Sequence, residues 1–158
     1  MVAFVTSGQA GVDLQADGTA VAGFAVGTTV NLSDGGQAVY VKALSEISQY
    51  AAVLIDASAA QMATTTLAVA TKRIGFAQCS IASAYYGWVQ TGGVPKVNLA
   101  ANAAPNVPLY TTATAGVLDD ATVSAGMVAG VTAKNTISNA TAVTVVAAYP
   151  HIIFQGGV

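Results

Sequence analysis

Few side chains in this sequence have reactive chemistry, and they are scattered. His151 is the one imidazole and lies in the apolar run Tyr149-Pro150-His151-Ile152, where a general base or metal ligand would lack the partners it needs. Asp119-Asp120 is the one adjacent carboxylate pair. Neighbours along a strand point to opposite faces, so these two suit a turn better than a shared metal. Asp13 and Asp17 precede Gly18, but a calcium loop carries oxygen ligands more densely and closes on a bidentate Glu, which is missing here. Cys79 is the single cysteine, set among Phe76-Ala77-Gln78 and Ser80. Its small apolar neighbours suggest a buried, inert thiol, and one cysteine permits no intrachain disulfide. No phosphate loop, dinucleotide fingerprint, nucleophile elbow or HExxH helix occurs. The expectation is a non-enzymatic chain with no catalytic residue, no cofactor and no metal site.

Aromatic side chains remain. Tyr85, Tyr86 and Trp88 fall within four positions. Tyr86 and Trp88 stand two apart, on one face of a strand, and fit a core plug. The same three rings also fit a subunit contact or a sugar-stacking surface, and all three uses stay open.

The elements that must position these residues read as many short strands separated by turn signals, the pattern of an all-β sandwich or barrel. Val30-Asn31-Leu32 and Val39-Tyr40-Val41 flank Ser33-Asp34-Gly35-Gly36, and Asp-Gly accepts the positive φ angles of a tight hairpin. A second hairpin runs over residues 74–80 and returns over 85–90. Alternation sets Gly75, Ala77, Cys79 and Ile81 on one face and Ile74, Phe76 and Gln78 on the other. Both faces are apolar, which places this strand between two packed layers. Further strands are expected at 94–99, 107–110, 127–132 and 143–149, the last continuing past Pro150, with a turn at 116–120. Residues 43–70 are Ala-rich and ambiguous; a strand over 50–56 is preferred to a helix because Val53-Leu54-Ile55 is β-prone. The expected fold is mainly β, a compact barrel or sandwich of short antiparallel strands with at most one short helix. Residues 1–18 form an extended N-terminal arm, with Val2, Phe4 and Val5 as its contact residues, and 19–158 a single β-rich domain.

Composition narrows the function classes. Apolar residues make up 54% of the 158 and charged residues 8%, against roughly 25% charged in an ordinary soluble domain. A spanning helix needs about 20 apolar residues, and the longest runs, 19–30 and 141–154, are shorter and broken by Gly, Thr or Pro150. Neither a membrane segment nor a secretory signal is expected, since residues 1–6 carry no basic side chain. A net charge of −2 without a basic patch excludes a nucleic-acid binder. The charge deficit fits a subunit whose surface is covered by partners.

Four segments together resemble the cement or decoration proteins of tailed-bacteriophage capsids. They are Gly35-Gly36-Gln37-Ala38-Val39-Tyr40-Val41-Lys42-Ala43, Lys72-Arg73-Ile74-Gly75-Phe76-Ala77-Gln78, Tyr86-Gly87-Trp88-Val89-Gln90 and Val107-Pro108-Leu109-Tyr110-Thr111-Thr112-Ala113-Thr114-Ala115-Gly116-Val117-Leu118. The likeness spans residues 30–132 and rests on their order and spacing. It implies a β-barrel or β-sandwich core and no cofactor. It also implies homotrimers on the outer capsid surface of the virion, made in the host cytoplasm, with the major capsid protein as partner and a terminal segment reaching across neighbours. The rival expectations are another virion component, such as a head fibre or tail protein, and a carbohydrate-binding β module.

Overall fold

The computed structural model describes residues 12–57, 59–68, 72–122, 126–134, 137 and 139–153. Its first element is the hairpin that the Asp-Gly signal forecasts: β1 (Thr29–Asn31) pairs antiparallel with β2 (Gln37–Ala43), setting Val30 against Ala38. Gly35 takes a φ of 80° at the turn, a value that costs glycine nothing because it has no Cβ. The Asp34 carboxylate accepts the Gly36 N–H at 2.8 Å.

Four more strands close a ring on β2. They are β3 (Ala52–Asp56), β4 (Ala59–Met62), β5 (Arg73–Ala77) and β6 (Tyr86–Gln90). β2 pairs with β4, β4 with β3, β3 with β5, β5 with β6, and β6 returns to β2. The β2–β4 contact is parallel and the others antiparallel. One face of every strand fills this first barrel, with Val39, Val41, Val53, Ile55, Ala77 and Val89 packed together. A Cβ on Gly75 would press against the Val89 side chain and lie 3.1 Å from Ile55 Cδ1, so this barrel has no room for more volume at its centre.

A second ring follows, made of β7 (Lys96–Leu99), β8 (Leu109–Thr111), β9 (Leu118–Asp119), β10 (Met127–Ala133) and β11 (Thr141–Ile153). β7 pairs with β9 in parallel; β9–β8, β8–β10, β10–β11 and β11–β7 are antiparallel. A bulge between Ala129 and Val131 shifts the β10–β11 register. Val97, Leu99, Leu109, Leu118, Val128 and Val145 lie in its core.

The two rings are bound into one hydrogen-bonded sheet where Arg73 of β5 sits opposite His151 of β11. The outward face of β3 and β5, carrying Ala52, Leu54, Ile74 and Phe76, packs into the same cluster as the second ring's core. Both faces of β5 are therefore buried, as its two apolar faces indicate. Gln78 also bridges the rings, its amide behaving as a piece of strand: Nε2 donates to the Lys96 carbonyl at 3.1 Å and Oε1 accepts the Lys96 N–H at 3.2 Å.

The all-β expectation holds, and there is no helix among the described residues. Two short strands are additions. Residues 116–120 read as a turn, yet Leu118–Asp119 pairs on both sides and closes the second ring. Residues 59–62, inside the Ala-rich stretch, form β4. Alanine is a poor strand former by propensity, and here tertiary pairing overrides it. Of the expected arm at 1–18, the contact residues Val2, Phe4 and Val5 lie outside the described residues. Residues 12–18 run against the first barrel, where the Gly18 N–H donates to the Ser80 carbonyl at 3.2 Å and Thr19 bridges to Tyr86.

Two substitutions test this packing. Gly75→Ala overfills the first barrel and is expected to cost roughly 1–3 kcal/mol. Gln78→Leu removes both hydrogen bonds to Lys96, at about 0.5–1.5 kcal/mol each. Both are read from urea unfolding midpoints; an unchanged midpoint for Gln78→Leu would show that the amide bridge contributes nothing.

Candidate interaction surface

β6 alternation turns Gly87 and Val89 inward and Tyr86 and Trp88 outward. Cross-strand pairing sets Tyr40 of β2 directly opposite Trp88, so three large rings share one outer face of the first barrel. Phe24 closes over them edge-on, with its ring 5.4 Å from Tyr40 and 5.2 Å from Trp88. Tyr40 and Tyr86 lie nearly parallel at 6.2 Å, and Lys42 Nζ stands 5.5 Å over the Tyr86 ring. These are the offset and edge-to-face geometries that ring quadrupoles favour. Val12, Leu14 and Leu32 complete the packing, and the Tyr40 hydroxyl accepts the Gly23 N–H at 3.1 Å. The aromatic cluster thus fastens residues 12–28 onto the barrel.

The three aromatic candidates separate. Trp88 is 7% exposed and belongs to the packed cluster. Tyr86 is half-buried beside it. Tyr85 faces away, 39% exposed, so the three do not present one open stacking platform. Beside the cluster is a cleft of about 230 Å³ walled by Phe24, Tyr40, Tyr86 and Trp88 with Asp13 and Asp17 at its margin. The Gln15 N–H, donating at 2.9 Å, holds the Asp13 carboxyl below the usual carboxylate range.

The remaining reactive side chains are dispersed. Cys79 is buried in the first barrel. Burial pushes its thiol up from an ordinary 9.0 to about 11, and the Asp17 and Asp13 charges push the same way. Asp119 lies on β9 and Asp120 follows it, with the Asp120 N–H donating to Asp119 Oδ1 at 2.8 Å and Asp120 Oδ2 accepting the Ala104 N–H at 3.0 Å. His151 is exposed on β11, opposite Arg73 and Ala129. Among the described residues no three of His, Cys, Asp and Glu gather as a metal site would require.

What the surface does offer is apolar. Residues 20–27 are all exposed and carry no charge; Val21 is 79% open, and Phe24 and Val26 show part of their side chains. A second patch lies at one end of the first barrel, where Leu44 (59% exposed) and Tyr85 are adjacent. There the Ala43 N–H donates to the Tyr85 carbonyl and the Ala84 N–H to the Ala43 carbonyl. Sequence reasoning named Tyr85 as a contact candidate but missed Leu44 and the segment 20–27. For residues 20–27 the available signal was a run of Ala, Val, Gly and Phe without strand alternation.

No protein-family model matches the chain, and no curated protein matches it.

The buried thiol sets a pH dependence. In the unfolded chain Cys79 ionises near its ordinary value, while the folded chain holds the proton until about 11. The folded state therefore binds more protons between pH 9 and 11, and stability falls as pH rises through that window. Wild type minus Cys79→Ala, compared by urea midpoint at each pH, isolates this component from Tyr and Lys titration. A difference that stays flat to pH 11 would contradict it.

Proposed function

We propose that the chain is a structural virion protein that decorates and stabilises the outer capsid surface of a tailed bacteriophage. It packs on the major capsid protein and on its own copies as a homotrimer, and it turns over no substrate. The observation that carries this reading is the uncharged, exposed apolar segment 20–27, anchored at Phe24 to a rigid barrel. Isolated soluble proteins rarely leave contiguous apolar surface open, and such patches mark contact sites. The resemblance of residues 30–132 to decoration proteins supplies the kind of partner, and the low charge count supports the same end.

The action is thermodynamic linkage. A molecule that binds the assembled shell and not its dissociated parts lowers the free energy of the shell and raises the cost of rupture. Modest contacts repeated by several copies add avidity. Residues 20–27 suit this work because their backbone is already fixed on the barrel, so binding orders little new chain.

Native mass measurement and sedimentation onto heads purified from the particles of its source test the proposal. Wild type is expected as three copies that bind the heads. Val21→Asp and Leu44→Asp are expected to weaken head binding tenfold or more, about 1.4 kcal/mol, with unfolding midpoints unchanged. Removing residues 1–8 is expected to weaken attachment while the barrels stay folded. A wild-type protein that is monomeric at every concentration and leaves the heads bare would remove the reading.

A further inference from the structure

We infer that the chain is a tandem duplication of one five-stranded unit, residues 37–91 and 93–147, whose copies enter any assembly as two quasi-equivalent subunits. The first ring runs β2-β4-β3-β5-β6 and the second β7-β9-β8-β10-β11. Counting strands within each ring, both read first, third, second, fourth, fifth, and both place their single parallel pair between first and third. Ring closure alone does not require this coincidence, since five strands close in many orders.

Details outside the ladders repeat at an offset of 56 residues except around β9. Ile47 and Ile81 bond to each other across two loops, the Ile47 N–H to the Ile81 carbonyl at 2.8 Å and the Ile81 N–H to the Ile47 carbonyl at 2.9 Å; the Ile137 N–H likewise reaches the Ala103 carbonyl at 3.4 Å. Tyr50 and Asn106 both take a left-handed φ, 62° and 59°. Their N–H groups donate to matching carbonyls, Ala77 at 2.7 Å and Ala133 at 3.1 Å. A positive φ is uncommon for either residue and worse for tyrosine, so its recurrence at one place in two loops is a specific likeness. The Thr91 N–H donates to the Gln37 carbonyl as the Ala147 N–H does to Gly93. The offset widens by two residues at β9, where the Ala100 N–H bonds to Leu118 as the Leu44 N–H bonds to Ala60, and is restored by Ala133.

The likeness extends to how each unit is closed at its leading edge. In the second, the N–H and carbonyl of Lys96 are both taken by the Gln78 amide of the first. In the first, the N–H and carbonyl of Tyr40, the counterpart of Lys96, are taken by Thr28 and Gly27 at 2.8 and 2.7 Å. The segment before β2 thus does for the first unit what the first unit does for the second. This is a head-to-tail array of two with a cap at its start. Three copies of the chain would present six barrels; the trimer belongs to the function proposed above, and the duplication does not depend on it.

Amide hydrogen exchange on the full chain tests the inference. The Tyr50, Ile81, Asn106 and Ile137 amides, all outside strands, are expected to be protected in matched pairs. Asn106 and Ile137 exchanging as open loops while Tyr50 and Ile81 stay protected overturns it. Failure here leaves head binding untouched, and bare heads leave the duplication untouched.

Discussion

Strands without a solvent face are the constraint on which the rest of this fold depends. β5 gives Gly75 and Ala77 to the interior of the first barrel and Ile74 and Phe76 to the cluster shared with the second. β2 gives Val39 and Val41 inward and Ala38 and Tyr40 to the aromatic cluster. Each buried Val, Leu, Ile or Phe contributes about 1.5–3 kcal/mol relative to exposure, so a small barrel gains twice from the same strand. The cost falls on composition. Strands buried on both sides leave few positions for charge, and part of the charge deficit belongs to the architecture itself.

The same constraint explains what could be read in the sequence. Hairpins announce themselves locally: Asp34-Gly35 fixed β1 and β2, and the two apolar faces of residues 74–81 correctly implied a central strand. Val53-Leu54-Ile55 outweighed its alanine-rich surroundings for a physical reason, because β-branched and bulky side chains fill a barrel better than helix-forming alanines do. β4 and β9 were not legible. Their pairing depends on neighbours distant in sequence, and at four and two residues they are too short for periodicity to register. Closure of both rings rests on these two, so the ring topology stayed hidden while most of its strands did not.

For the surface the lesson runs the other way. Tyr85, Tyr86 and Trp88 drew attention as a group, and alternation divided them: Trp88 packs under Phe24, whereas Tyr85 faces outward beside Leu44. Asp34 was legible only as a turn residue. It also accepts from Gln90 Nε2 and the Val94 N–H, each at 3.1 Å, tying the first hairpin to the passage between the barrels. A sequence shows a side chain's local task; partners sixty positions away come only with the fold.

The burial of Cys79 has a consequence for the protein's life in air. A lone thiol on an exposed surface forms random covalent links between copies once oxygen and trace metals are present, because the ionised sulfur is the attacking species. Enclosed by Ile47, Ile81 and Val89 and kept protonated, this sulfur is out of reach. The folded chain therefore offers no thiol for disulfide links between copies, even in an oxidising medium.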